Sequence, residues 1–135
     1  MTRARVERVP ADAATARALV DQSESHLASA RASGVDAESA YGLAYQAALK
    51  ALIASLLAAG LRVTSGAGGH VVIIGEAQRL LDVPADTFDR LDRMRRTRHH
   101  LFYELDEVTA SELDAGLTHA DVIVAAASRF VSPGR

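Results

Sequence analysis

From Tyr41 to Leu61 the chain is almost unbroken apolar sequence, interrupted only by Gln46, Lys50 and Ser55. Within it Tyr45, Leu49, Leu52 and Leu56 step by 4, 3 and 4, with Tyr41, Ala48, Ile53 and Leu57 on the flanks. That is helical spacing with apolar residues nearly all round, and Ser39, Gln46 and Lys50 form only a narrow polar strip. By length alone the stretch nearly spans a membrane, but its polar interruptions and Ala-rich content fit a buried core helix better. A chain with such a helix at its centre has to wrap other amphipathic helices around it.

The neighbouring segments supply them. Gly34 and Gly60 stand where helices end. The first helix is expected from about Pro10 to Ser33, with Pro10 in its first turn and an apolar stripe of Ala16, Leu19, Val20, Leu27 and Ala30. The second follows Asp36, a good N-cap, and runs to about Ala59. The stretch LRVTSGAGG, Leu61 to Gly69, reads as a flexible connection. His70 to Leu81 reads as a short helix ended by Pro84, although VVII alone also suits a strand.

Asp86 and Asp89 open a fourth helix with an acidic first turn. Thr109-x-x-Glu112 is a capping box opening a fifth, with Leu113, Leu117, Ala120, Val124 and Ala127 along its stripe. The expected fold is all-α: an antiparallel bundle of four long helices and one short helix, as one domain over residues 10–131 with tails at 1–9 and 132–135.

The absence of cysteine excludes disulfides, zinc–thiolate sites and cysteine nucleophiles. It also makes a cytoplasmic location the default. The charged N-terminus has no apolar region of signal-peptide type, and no membrane association is expected. Net charge is −2, so overall charge does not advertise nucleic-acid binding.

Its distribution is more telling. Arg90, Arg93, Arg95, Arg96 and Arg98 crowd one helix, whose stripe runs Leu91, Met94, Arg98, Leu101, Leu105. Arg98 thus takes a position where an apolar residue belongs, and must be paired, meet a partner subunit or point into a cleft. Arg95, His99 and Tyr103 follow at i, i+4 and i+8, and Arg96, His100 and Glu104 make a parallel row. One reading is a cationic cleft for phosphate, with guanidinium forks on its oxygens and a histidine to move protons near neutrality. The other is a solvated helix whose arginines pair with Asp89, Asp92 and Glu104. His70 starts the short helix and is either part of its turn or a wall of the same cleft. His26 and His119 read as surface or packing residues. Adjacent His99 and His100 point about 100° apart on a helix, so no metal site and no cofactor is expected.

The Ala-rich helix ending LASARASG, the core helix AYGLAYQAALKALIASLLAAGLR, the turn GAGGH and the helix RRTRHHLFYE follow one another in an order that resembles the HEPN superfamily, over roughly Pro10 to Phe130. The resemblance implies a helical bundle that dimerises, in a toxin-like or catalytically degenerate branch, with RNA and an antitoxin or other protein as partners. Active members are metal-independent endoribonucleases carrying Arg, a polar residue, three further residues and then His. Here that frame gives Arg98, His99 and Tyr103, with Tyr where His is expected. A shifted frame, Arg95 with His100, restores the spacing but misaligns LFYE. Tyr, with an ordinary pKa near ~10, is a poor base at neutral pH. The resemblance therefore implies a domain that binds RNA or a protein through Arg93, Arg95, Arg96 and His70, with nuclease activity weakened or lost. The alternatives are a metal-independent endoribonuclease using Arg98 and His99 or His100, and a purely structural scaffold.

Overall fold

The computed structural model describes residues 2–103 and 107–133, for 100–103 the backbone alone. The protein is mostly helical. A strand, β1 (Val6–Arg8), leads into α1 (Ala13–Ala30) and α2 (Ala37–Ala58). Then come β2 (Leu61–Val63), α3 (Gly69–Gln78), α4 (Ala85–Tyr103) and α5 (Ala110–Val131).

The centre is α2, as its sequence demands. Ala44, Tyr45, Ala47, Ala48, Ala51, Leu52 and Ala54 are all buried, so small side chains on several faces let neighbouring helices approach closely. It packs against α1, α3, α4 and α5. Among the described residues it is the one helix long and apolar enough to cross a membrane, but 67% of its most apolar window is buried inside the protein, which marks a core helix. Two of its polar side chains have partners: buried Ser55 donates back to the Ala51 carbonyl at 2.9 Å, and Lys50 donates to Gln22 of α1 at 3.0 Å. Asp36 caps it by accepting from the Ser39 amide, and Thr109 and Glu112 close the expected capping box on α5.

Several boundaries differ from the sequence expectation. The first helix starts at Ala13, not near Pro10, because Asp12 is its cap and accepts from the Thr15 amide at 3.0 Å. It ends at Ala30, short of Ser33. The segment read as a tail, 1–9, holds β1, and the segment read as a loop, Leu61–Gly69, holds β2. The two strands pair antiparallel, Val6 with Val63, Glu7 with Arg62 and Arg8 with Leu61, and Arg62 bonds Glu7 across the ladder. The amides of Val9 and Asp12 then donate to the carbonyls of Gly60 and Leu57 at the end of α2, which keeps the chain extended up to the cap. The short third helix is present, with Ile73 and Ile74 in the core, and its last turn gives out at Gln78, before Leu81.

The Gly-rich loop is not a free connection. The Ala4 amide donates to the Ala67 carbonyl at 2.9 Å and the Ala67 amide to the Thr2 carbonyl at 3.2 Å. Gly66, at φ +145°, passes so near the Thr2 carbonyl that a Cβ has no room there. The N-terminal segment thus straps the loop that leads into α3.

One buried group makes stability depend on pH. His26, half-buried on α1, has its Nε2 buried without a hydrogen-bond partner among the described residues. Burial first, and the charge of Lys50 on α2 second, hold its pKa below the ordinary value. The unfolded chain therefore takes up the proton before the folded one does. The stability owed to neutral His26 is complete above the ordinary histidine pKa and is lost as pH falls through it. The melting temperature is expected to drop between pH 7.5 and 5.5, and to drop less in His26→Gln. The capping carboxyls of Asp12 and Asp36, both held below the usual range by their hydrogen bonds to Thr15 and Ser39, release their contribution only at lower pH. Equal pH slopes for wild type and His26→Gln would count against this role.

Candidate nucleic-acid interface

The stripe of α4 is buried through Phe88, Leu91 and Met94 and then reaches Arg98, which is exposed. Its guanidinium carbon lies 5.5 Å from the ring centroid of Tyr45, a cation–π contact across α2. The guanidinium also passes close to Gly42 of α2, where a Cβ would be in ordinary van der Waals contact with Arg98 Nε at 3.8 Å. Among the described residues Arg98 meets no carboxylate. Of the three destinations open to a misplaced arginine, it takes the cleft.

Tyr45 is buried to 1% exposure, and its hydroxyl lies 2.9 Å from Nδ1 of His70 at the start of α3. The two rings tilt against each other with centroids 5.9 Å apart. Around this pair opens a cleft of about 470 Å³. Arg95, Arg98 and His99 line it from α4; Gly68, Gly69, His70 and Val71 line it from the start of α3. Among the described residues no carboxylate lines it. Helix α3 has no side-chain cap at Gly68, so its first amides are left to solvent or a ligand.

The charges act on the titratable pair. Burial pushes the Tyr45 hydroxyl up to about 12, while Arg95 and Arg98 pull the other way and Asp92 adds a small rise. Tyr45 therefore keeps its proton at neutral pH. Partial desolvation, then Arg98 and Arg95, hold His70 below its ordinary value, so it is neutral at pH 7. A neutral imidazole and a phenol share one hydrogen bond in either direction, which leaves Nε2 of His70 as donor or acceptor according to tautomer.

Of the residues singled out by sequence, Arg95, Arg98, His99 and His70 come together. Arg93 and Arg96 are exposed and do not line the cleft. The ion pairs expected of a solvated helix form in part: Asp92 binds Arg95 at 2.9 Å and Arg96 at 3.4 Å, while Asp89 takes none of the arginines. The side chains of His100 and Tyr103, and Glu104 and Leu105, lie outside the described residues, so neither signature frame is completed here. His119 serves packing, with Nδ1 3.3 Å from the hydroxyl of buried Thr87. Among the described residues no group of three or more metal-ligating side chains is gathered.

Tyr45 is the residue that sequence reasoning missed. Its spacing places it in the core stripe, which is where its ring lies. A tyrosine on a buried face has to find a partner for its hydroxyl, and that requirement was the available signal.

No family model, no curated protein and no solved structure matches this chain.

Proposed function

We propose that the protein is an RNA-binding domain of HEPN type, an antiparallel helical bundle that seats a phosphodiester on Arg95 and Arg98 and has lost most or all nuclease activity. The observation that carries this reading is the cleft itself. Two arginines and two histidines converge on an opening that no carboxylate lines among the described residues, in a chain whose net charge is negative. Guanidinium forks suit phosphate oxygens, and uncapped helix amides beside them favour the same charge. A scaffold needs none of this: arginines that only solubilise a helix have no reason to reach across onto a buried tyrosine.

The test is a titration of labelled single-stranded and hairpin RNA in EDTA over a series of salt concentrations. Binding is expected to weaken steeply with salt, by a logarithmic slope of about 0.7 per phosphate contacted on single strands. Absence of binding at low salt would overturn the reading.

One observation favours a second reading, cleavage. The Tyr45–His70 hydrogen bond orients an imidazole beside Arg98, as a general base is oriented by a neighbour. In that reaction Nε2 of His70 takes the proton of a ribose 2′-hydroxyl. The oxygen attacks phosphorus, the bond to the 5′-oxygen breaks, the proton held on Nε2 is returned through water to that oxygen, and a 2′,3′-cyclic phosphate and a 5′-hydroxyl result. RNA incubated with EDTA would be cut, and His70→Ala would slow cutting about 10²-fold or more. The binding reading expects no cutting above background in wild type or variant.

A further inference from the structure

A second hollow, of about 300 Å³, continues from the cationic cleft along α3 and α4, and Val71 and Arg95 border both. Its chemistry is different. The floor is apolar, made by Ile74 and Phe88, and Val71 stands half exposed at its mouth. Gly75 leaves its side open, since a Cβ there would meet nothing within 4 Å. Asp89 and Gln78 also line it. Asp92, also in this wall, is taken up by Arg95 and Arg96. Asp89 is exposed and has no hydrogen bond or ion pair among the described residues, in spite of the arginines on its own helix.

A carboxylate repels a second phosphate, so a chain seated on Arg95 does not continue its backbone through this hollow. A flat, neutral ring with N–H donors on its edge does fit: apolar faces against Val71 and Ile74, donors toward Asp89. Among the bases, guanine presents two adjacent donors, N1–H and the 2-amino group, that match the two oxygens of one carboxylate, and beside them an O6 acceptor that suits the Gln78 amide. Uracil presents one donor between two acceptors, and adenine and cytosine lack the donor pair. We propose that this hollow is a nucleobase subsite selective for guanine, with Asp89 and Gln78 as its specificity-determining residues. The proposal rests on the RNA-binding reading above and adds to it a sequence preference.

The experiment compares binding of four RNA pentamers, AAGAA, AAAAA, AACAA and AAUAA, to wild type, Asp89→Asn and Gly75→Leu. Wild type is expected to prefer AAGAA by about tenfold, in the range of one bidentate base contact. Asp89→Asn is expected to level the four affinities without abolishing salt-sensitive binding. Gly75→Leu fills the hollow from a position with free space, and is expected to level them as well while keeping the helical circular dichroism of wild type. Four equal affinities in wild type, a preference for another base, or a guanine preference that survives both substitutions would overturn the subsite and leave the RNA-binding reading standing. No binding of any pentamer would overturn both.

Discussion

Arg98→Ala is expected to weaken single-stranded RNA binding about tenfold and to reduce the salt slope by about 0.7, the share of one phosphate contact. The same change is expected to leave thermal stability nearly untouched. Arg98 is exposed, and among the described residues it meets no carboxylate and contributes to the fold through its contact with the Tyr45 ring. A cation–π contact at such a site is worth about 0.5–1 kcal/mol, a small part of a domain's stability. Arg96→Ala is the matching control. It removes the same charge from the same helix, but from a side chain outside the cleft that already pairs with Asp92. Long-range electrostatics alone would make the two variants equal, whereas a seated phosphate makes Arg98→Ala several times worse. Equal losses would remove the cleft from the account.

The largest effect on the fold is expected from Gly66→Ala. At φ +145° an L-residue is strained, and its Cβ would run into the Thr2 carbonyl oxygen and press on Arg3 and Ala4. Strain of this kind costs about 2 kcal/mol, roughly 5–10 °C in melting temperature for a chain of this size. The obstacle is backbone, which cannot swing aside as a side chain does, so relief requires the N-terminal strap to lift off. Hydrogen exchange should then show loss of protection at the Ala4 and Ala67 amides while the core of α2 stays protected. Gly68→Ala separates the two contributions. Gly68 also has positive φ, but nothing lies within 4 Å of its added Cβ, so it is expected to cost less. A Gly66→Ala protein with wild-type melting and exchange would show that the strap is not what holds the loop.

These two sites also mark how far the sequence could be read. Arg98 was visible because helical periodicity is a local rule, and a charge at a stripe position breaks it within seven residues. The caps at Asp36 and Thr109 were visible for the same reason, since each involves residues three apart. The strap was not. β1 and β2 are three residues each, too short for alternation to show, and each finds its partner 53 to 57 residues away. Pairing at that separation leaves no mark on either segment alone, so 1–9 read as a tail and 61–69 as a loop. Pro10 offered a plausible helix start, and the backbone bonds from Val9 and Asp12 to the end of α2 overrode it. The cleft was half legible. Its α4 wall was found from spacing, while Tyr45 hid among core residues because packing and a hydrogen bond place the same demand on its position. Asp89 was read as an ion-pair partner on proximity along the helix, and the arginines chose Asp92 instead.

The Tyr45 contact has a practical side. The chain has no tryptophan and three tyrosines, so its ultraviolet emission is dominated by phenol rings. One of those rings lies under the arginine that a ligand would engage, with its hydroxyl on an imidazole in the same cleft. The molecule therefore carries an intrinsic optical reporter at the place where occupancy has to be measured. Anything that lifts the guanidinium or breaks the phenol–imidazole bond changes the surroundings of that fluorophore, with no label attached and no residue altered.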